Sequence, residues 1–312
     1  MKPEILVTTP YPPSTMAALG EHFVLHKLYE AADPDQFVHQ VASRVRAVAT
    51  NGGWGASADL IAALPRLEII ASFSVGIDAI DLDAARAREI AVTNTPGVLT
   101  DEVADFAIAL LLDSTRQIAR ADRWIRKGNW LQGQHPLGRG VRGKTVGILG
   151  LGKIGTAIAR RAEAFGMKVI WYGPQPKPEI SWPRAESPLE LARRVHFLIA
   201  ICPLTPETRH IVDASVLEAL GPEGTFINVA RGAIADETAL VEALASRRLG
   251  FAALDVFEDE PHVPEALLRM ENVVLSPHQG SATVETRAAM GRMVLDNLVA
   301  HFTGKPLPSR VV

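Results

Sequence analysis

The sequence predicts an α/β protein built from doubly wound parallel sheets in two domains, and three observations carry that expectation. Short apolar runs alternate with longer amphipathic patterns along most of the chain, as in parallel strands joined by crossover helices. The 312 residues are enough for roughly two domains of about 150 residues each. One long amphipathic segment, DEVADFAIALLLDSTRQIARADRWIRKG (101–128), separates two strand series.

In the first series, EILVTT (4–9), RAVAT (46–50) and LEIIASFS (67–74) read as buried strands. ADLIAALP (58–65) and DLDAARAREI (81–90) read as helices between them, and IAVTNTP (90–96) closes the region as a short strand. Segment 101–128 reads as one helix bridging the domains. Thr100 is placed to cap it, Asp101 and Glu102 suit its positive end, and Gly128 suits its stop. The second series is TVGILG (145–150), KVIWY (168–172), HFLIAIC (196–202), TFINVA (225–230), GFAALDVF (250–257) and NVVLSP (272–277). With the helical patterns between them, these fit a doubly wound sheet of strand order 3-2-1-4-5-6. ETRAAMGRMVLDNLVAHFTG (285–304) reads as a final helix ended by Gly304.

Composition narrows the function classes. Net charge is −3, with no run of like charge. A nucleic-acid partner would need a basic stripe, and none is visible. No stretch reaches the roughly 20 apolar residues that span a bilayer. The N-terminal MKPEILVTTPYPP has too short an apolar run for a signal-peptide core, so a cytoplasmic protein is expected. Cys202 is the single cysteine, which rules out an internal disulfide. No metal is expected in the site.

TVGILGLGKIGTAIARRAEAFG places Gly150, Gly152 and Gly155 in G-x-G-x-x-G spacing, between an apolar strand and a helix pattern. Gly150 permits the tight turn, Gly152 lets backbone approach a pyrophosphate, and Gly155 lets helix and strand pack closely. The free amides of Lys153 and Ile154 would then face phosphates at a helix N-terminus. A glycine-rich turn with packing roles only is the bland alternative. The fingerprint expects an acidic residue about 20 positions on, to accept from the ribose 2′-hydroxyl. That slot falls at or near Gly173, in WYGPQPKP (171–178). With glycine there a 2′-phosphate can enter, Lys177 offers charge and Gln175 a hydrogen bond, so the sequence leans to NADP(H) over NAD(H). The alternative is a surface loop with an ordinary lysine.

Ligands of open α/β sheets bind beyond the carboxyl ends of strands. Arg231 follows TFINVA, Glu260 follows GFAALDVF, and His278 follows NVVLSP. Reduction of a 2-keto acid needs a cation for the carboxylate and ketone, and arginine supplies it through a planar fork. It needs a proton for the developing alkoxide, and histidine titrates in the right range. A carboxylate beside that histidine favours its charged form. Singly, Arg231 could be a surface ion-pair partner, Glu260 part of a solvated acidic loop with Glu258 and Asp259, and His278 structural. Their joint position at successive strand ends favours the chemical reading.

GLGKIG (150–155), NVARGAIADE (228–237), AALDVFEDEP (252–261), SPHQGSAT (276–283) and SVGIDAIDL (74–82) together resemble the D-2-hydroxyacid dehydrogenase family over essentially the whole chain. The subgroup it is most similar to is the NADP-dependent glyoxylate/hydroxypyruvate reductases, with hydroxyphenylpyruvate reductases close by. The resemblance implies two Rossmann-like, flavodoxin-like domains with a cleft between them: a substrate domain of residues 1–98 plus 285–312 and a dinucleotide domain of residues 99–284. It implies NADPH-dependent reduction of a small 2-keto acid (glyoxylate, hydroxypyruvate or a related 2-oxo acid) to the D-2-hydroxy acid. It assigns Arg231 to substrate binding, His278 to acid/base catalysis and Glu260 to its partner. Asp255 becomes a ligand of the nicotinamide carboxamide, and Val229, Pro203 and Gly280 line the cofactor. Backbone amides of Val75 and Gly76 would meet the substrate carboxylate, with Asn51 and Gly52 shaping the pocket. Segment 122–138, carrying Trp124 and Trp130, would cross to a second copy in a homodimer.

The chain departs from the pattern at Pro174, where NADP-using relatives often carry an arginine; this leaves Lys177 as the main charge. Glu260 argues against formate dehydrogenase, which has glutamine there. With Val312 as last residue, no regulatory extension like that of long phosphoglycerate dehydrogenases is expected. Alternatives are an NAD-dependent D-2-hydroxyacid dehydrogenase of other specificity, oxidation of an inorganic substrate such as phosphite, and a non-catalytic dinucleotide-sensing protein like the C-terminal binding corepressors. The substrate side chain is not legible; Trp54, Trp130 and His135 read equally as pocket, partner or packing residues.

Overall fold

The structure, a computed structural model, describes residues 2–312. It divides into two units, one running to Leu99 and including Ala282–Val312, the other Thr100–Ser281.

The first unit holds a parallel sheet of β1 (Glu4–Val7), β2 (Val24–Lys27), β3 (Val45–Thr50), β4 (Ile69–Ser72) and β5 (Ala91–Thr93). Its order β2-β1-β3-β4-β5 is the flavodoxin-like order. Buried Leu6, Val48, Ile70 and Val92 pack with Val38, Ile61 and Leu64 from the covering helices. Each such side chain contributes about 1.5–3 kcal/mol on full burial. The sequence reading missed β2, because VLHK is a half-exposed edge strand whose polar residues break the apolar run. The final helix, Val284–Phe302, belongs to this unit and starts at Thr283, whose side chain accepts from Thr286 N–H. Gly291 lets it approach the helix Pro13–His22; a Cβ there would lie 2.1 Å from Thr15 Oγ1. Fully buried Asn297 donates to Ser309 Oγ at 2.8 Å, and Ser309 Oγ donates to Asn94 O at 2.6 Å, fastening the C-terminal stretch beside β5.

The second unit holds β6 (Thr145–Leu149), β7 (Lys168–Tyr172), β8 (Phe197–Ala200), β9 (Thr225–Asn228), β10 (Phe251–Leu254) and β11 (Val273–Leu275), all parallel. The order is β11-β10-β9-β8-β6-β7, which corrects the expected 3-2-1-4-5-6 numbering of these six segments. HFLIAIC is not the outer third strand; β8 lies beside β6. Beyond β7 there is only a parallel bridge at Trp171 and Arg184, with Trp171 N–H donating to Pro183 O and Ala185 N–H to Trp171 O. The segment SWPRAES cannot extend the ladder far, because Pro183 has no N–H to donate. β9, β10 and β11 still lie on the opposite side of β6 from β7.

The single helix expected over 101–128 is two helices, Thr100–Arg116 and Ile118–Arg126. Gln117 between them is left-handed at φ 54°, and Asp113 Oδ1 accepts Ala119 N–H at 2.8 Å to start the second. Amphipathic periodicity runs through such a break, so it leaves no mark in the pattern. Thr100 is the first helical residue and not the cap. Ala104, Ala107, Ile108 and Leu111 bury the first helix against Ile158 and Ala162 of the helix Lys153–Ala164.

Candidate active site

The glycine turn leaves β6 at Gly150, whose φ is 103°. A Cβ at Gly150 would sit 2.7 Å from the Cys202 backbone, and one at Gly155 would sit 2.2 Å from Gly150 O. No atom lies within 4 Å of a Cβ at Gly152, so that side of the turn is open. The helix Lys153–Ala164 begins directly after it, and no side chain caps it. The first-turn N–H groups, those of Lys153 and Ile154 included, thus lack intrahelical partners and carry the positive end of the helix dipole. An open, uncapped N-terminus behind two sterically required glycines fits a pyrophosphate. Val229 is buried after β9 and donates to Ala200 O at 3.2 Å, while exposed Pro203 accepts from Thr208 Oγ1 at 2.7 Å.

Gly173 is buried at the end of β7, and its carbonyl accepts from Arg184 Nη2 at 2.8 Å and Nε at 3.2 Å. A Cβ there would lie 3.2 Å from Cζ3 of the buried Trp171 ring, which explains glycine in the slot. Gln175 is exposed, and Lys177 Nζ donates to Leu151 O of the glycine turn at 2.5 Å. The sequence reading missed Arg184. No motif marks it; only its register beside Trp171 brings it to this loop.

Arg231, Glu260 and His278 stand on the loops after β9, β10 and β11. Buried Asn228 fixes the first loop: its Nδ2 donates to Arg231 O at 2.9 Å and its Oδ1 accepts Ala230 N–H at 3.1 Å. Arg231 Nη1 donates to Ala230 O at 2.8 Å. Gly232 lets this turn lie on the next loop, since a Cβ there would be 1.9 Å from the Phe257 carbonyl carbon. Asn228 and Gly232 both lie in the NVARG segment, but nothing in the sequence marks either as holding the turn.

His278 Nδ1 and Glu260 Oε2 are 2.7 Å apart, and Glu260 Oε1 accepts Phe257 N–H at 3.2 Å. With Glu260 ionised, Nδ1 is the donor, which leaves Nε2 for another partner. Burial would raise the Glu260 carboxyl, but the His278 hydrogen bond and charge, the Phe257 N–H and the Arg231 charge outweigh it and hold it below the usual carboxylate range. His278 has a left-handed backbone at φ 54°, a conformation that persists when its surroundings enforce it. Here Asp255 enforces it. Asp255 O accepts His278 N–H at 2.8 Å, and its carboxylate accepts Gln279 N–H at 2.7 Å and Gly280 N–H at 2.8 Å. Burial pushes the Asp255 carboxyl upward, against those N–H bonds.

In the first unit, Asn51 follows β3, and its Oδ1 accepts from Gly53 and Trp54 N–H at 3.0 and 2.9 Å. Gly55 (φ 64°) closes that turn against Ala79. Trp54 is 57% exposed on it. Val75 O accepts from Asn94 Nδ2 at 2.9 Å and Gly76 O from Ser74 Oγ at 2.5 Å, which orders the 74–76 backbone. In the second unit, Trp124 and His135 meet edge-on at 5.5 Å, and Trp130 is 67% exposed.

The pattern of the family described as "D-isomer specific 2-hydroxyacid dehydrogenase, NAD binding domain" matches residues 108–280. Glyoxylate/hydroxypyruvate reductase A of Arabidopsis thaliana is 49% identical over 294 residues, covering 94% of each chain. Hydroxyphenylpyruvate reductase of Plectranthus scutellarioides is also 49% identical over 294 residues, again covering 94% of each chain. Among solved structures, an NADPH-dependent glyoxylate/hydroxypyruvate reductase from Sinorhizobium meliloti, in complex with NADP and malonate, superposes with a TM-score of 0.92 at 42% identity, over 100% of this chain and 97% of that one.

Proposed function

The chain belongs to the D-isomer specific 2-hydroxyacid dehydrogenase family, and from that premise we propose that it reduces glyoxylate, hydroxypyruvate or a related 2-keto acid to the D-2-hydroxy acid, with NADPH preferred over NADH. The observation that carries this reading is the 2.7 Å pair of His278 Nδ1 and Glu260 Oε2, on loops after adjacent strands of the unit that carries the glycine turn.

The dinucleotide, when bound, supplies the hydride. Gly150, Gly152, Gly155 and the amides of Lys153 and Ile154 hold its pyrophosphate, and Val229, Pro203 and Gly280 line it. The Asp255 carboxylate, already accepting from Gln279 and Gly280 N–H and from the Ser276 side chain, is assigned to the nicotinamide carboxamide. Arg231 sets the keto acid through its carboxylate and polarises the ketone with the same fork. His278 enters reduction with a proton on each ring nitrogen, the Nδ1–H held by Glu260 and the Nε2–H available to substrate. The Nε2 proton passes to the carbonyl oxygen as that oxygen becomes an alkoxide, leaving neutral imidazole. In oxidation the same nitrogen accepts the hydroxyl proton. On the family resemblance, Asn51 and the Val75 and Gly76 amides are assigned to substrate.

We assign the chain a homodimeric state and a cytoplasmic location as well. Support for the dimer comes from segment 118–137 of the second unit, where Ile118, Ile125, Trp130, Leu131 and Leu137 are all exposed. Apolar and aromatic side chains in such density mark interfaces. Among the described residues, no helix is long and apolar enough to cross a membrane.

Steady-state turnover of glyoxylate, hydroxypyruvate and hydroxyphenylpyruvate, each with NADPH and NADH, tests the reading. Turnover of at least one with NADPH ahead of NADH is expected. Dinucleotide binding without turnover would instead make the chain a sensing protein.

A further inference from the structure

The ribose end of the dinucleotide site carries a second cation that the chain supplies from outside the usual loop. Arg184 lies beyond β7, in parallel register with Trp171, and its side chain reaches back to the strand's carboxyl end. There Nε and Nη2 bind Gly173 O, and Nη2 also lies 3.4 Å from Pro174 O. The guanidinium carbon sits 5.9 Å from the ring centroids of both Trp171 and Tyr172, so the fork is held by aromatic faces as well as carbonyls. Its Nη1 makes no hydrogen bond to protein among the described residues. Lys177 closes the other side of the loop, with its ammonium on Leu151 O in the glycine turn. Two cations thus flank the slot at Gly173 where an acidic residue would otherwise accept from a ribose 2′-hydroxyl.

We propose that Arg184 is a specificity-determining residue of this site, whose guanidinium receives a 2′-phosphate together with Lys177. This rests on the reading of the glycine turn as a dinucleotide site. It replaces the arginine missing at Pro174 by one on a different segment. A planar fork with a free Nη1 donates two N–H bonds to phosphate oxygens, which a lysine at the same point would not reproduce.

The test is calorimetric binding of adenosine 2′,5′-bisphosphate and adenosine 5′-monophosphate to the full-length protein and to its Arg184→Gln and Arg184→Lys variants. The wild-type protein is expected to bind the bisphosphate more tightly. Arg184→Gln should weaken the bisphosphate about tenfold, the scale of one charge-assisted contact, and leave the monophosphate within about twofold. Arg184→Lys should fall between. Equal weakening of both probes would reduce Arg184 to a brace of the loop, and unchanged discrimination would remove it from the site; either result overturns the assignment while the NADPH reading stands. A wild-type protein that binds both probes alike would overturn the NADPH preference itself, and the role of Arg184 with it.

Discussion

At the scale of single residues, the account depends on how Glu260 and His278 share a proton. The Glu260 carboxyl, held below the usual carboxylate range, stays ionised at neutral pH and accepts from His278 Nδ1 at 2.7 Å. Glu260→Gln removes that charge, so the alkaline limb of kcat/KM for reduction should move to lower pH. An unmoved pH profile would detach Glu260 from its role. The cofactor loop makes a second residue-level expectation. Lys177→Ala should raise KM for NADPH about tenfold, from loss of one charged hydrogen bond, and hardly change that for NADH. Gly173→Asp should turn preference toward NADH by adding a ribose acceptor and repelling a 2′-phosphate. It should also lower Tm slightly, because its Cβ meets the buried Trp171 ring at 3.2 Å. Catalytic efficiencies with both cofactors in the three proteins check this. Some of these residues could be found in sequence: Arg231, Glu260 and His278 are polar groups that closely follow apolar runs. Asn228 and Arg184 could not, since a buried amide bonding its own turn and an arginine brought in by sheet register leave no local pattern.

At the scale of elements, three short loops do the positioning, and glycine decides how closely they approach. Gly232→Ala would drive a methyl into the Phe257 carbonyl, so the Arg231 turn must lift off the loop that carries Glu260. Overpacking of this kind costs about 1–3 kcal/mol. The variant should show a lower Tm and kcat/KM reduced at least about tenfold, the size expected for a misplaced substrate clamp, with NADPH affinity nearly intact. A variant with parental kcat/KM would mean that the turn need not be so close. Strands with uninterrupted apolar runs were readable, which covers β1, β3 to β5 and β6 to β11. β2 was not, being a polar edge strand, and neither was the break at Gln117, which continues the helical periodicity on both sides. Strand order is not legible, because it depends on whether SWPRAES makes a strand, and Pro183 limits that segment to one bridge.

At the scale of the whole molecule, the two parallel α/β sheets follow from the alternation of apolar runs and helical patterns. The return of Val284–Phe302 to the first unit does not; it rests on contacts such as Gly291 against Thr15 and Asn297 with Ser309, which are remote in sequence. Quaternary structure belongs to this scale as well. Light scattering at micromolar concentration should give twice the chain mass, and replacing Trp130 and Leu131, both exposed in this chain, by charged residues should give monomers. A monomeric parent would contradict the proposed interface. The central claim is that His278, oriented by Glu260, supplies the proton in reduction of a 2-keto acid. The most direct measurement is kcat/KM for hydroxypyruvate reduction by NADPH in the parent and in His278→Ala, alongside NADPH binding to each. The account predicts a loss of about 10²–10⁴-fold, the usual contribution of a general acid, with NADPH affinity essentially unchanged. Near-parental turnover in a folded His278→Ala protein would contradict it.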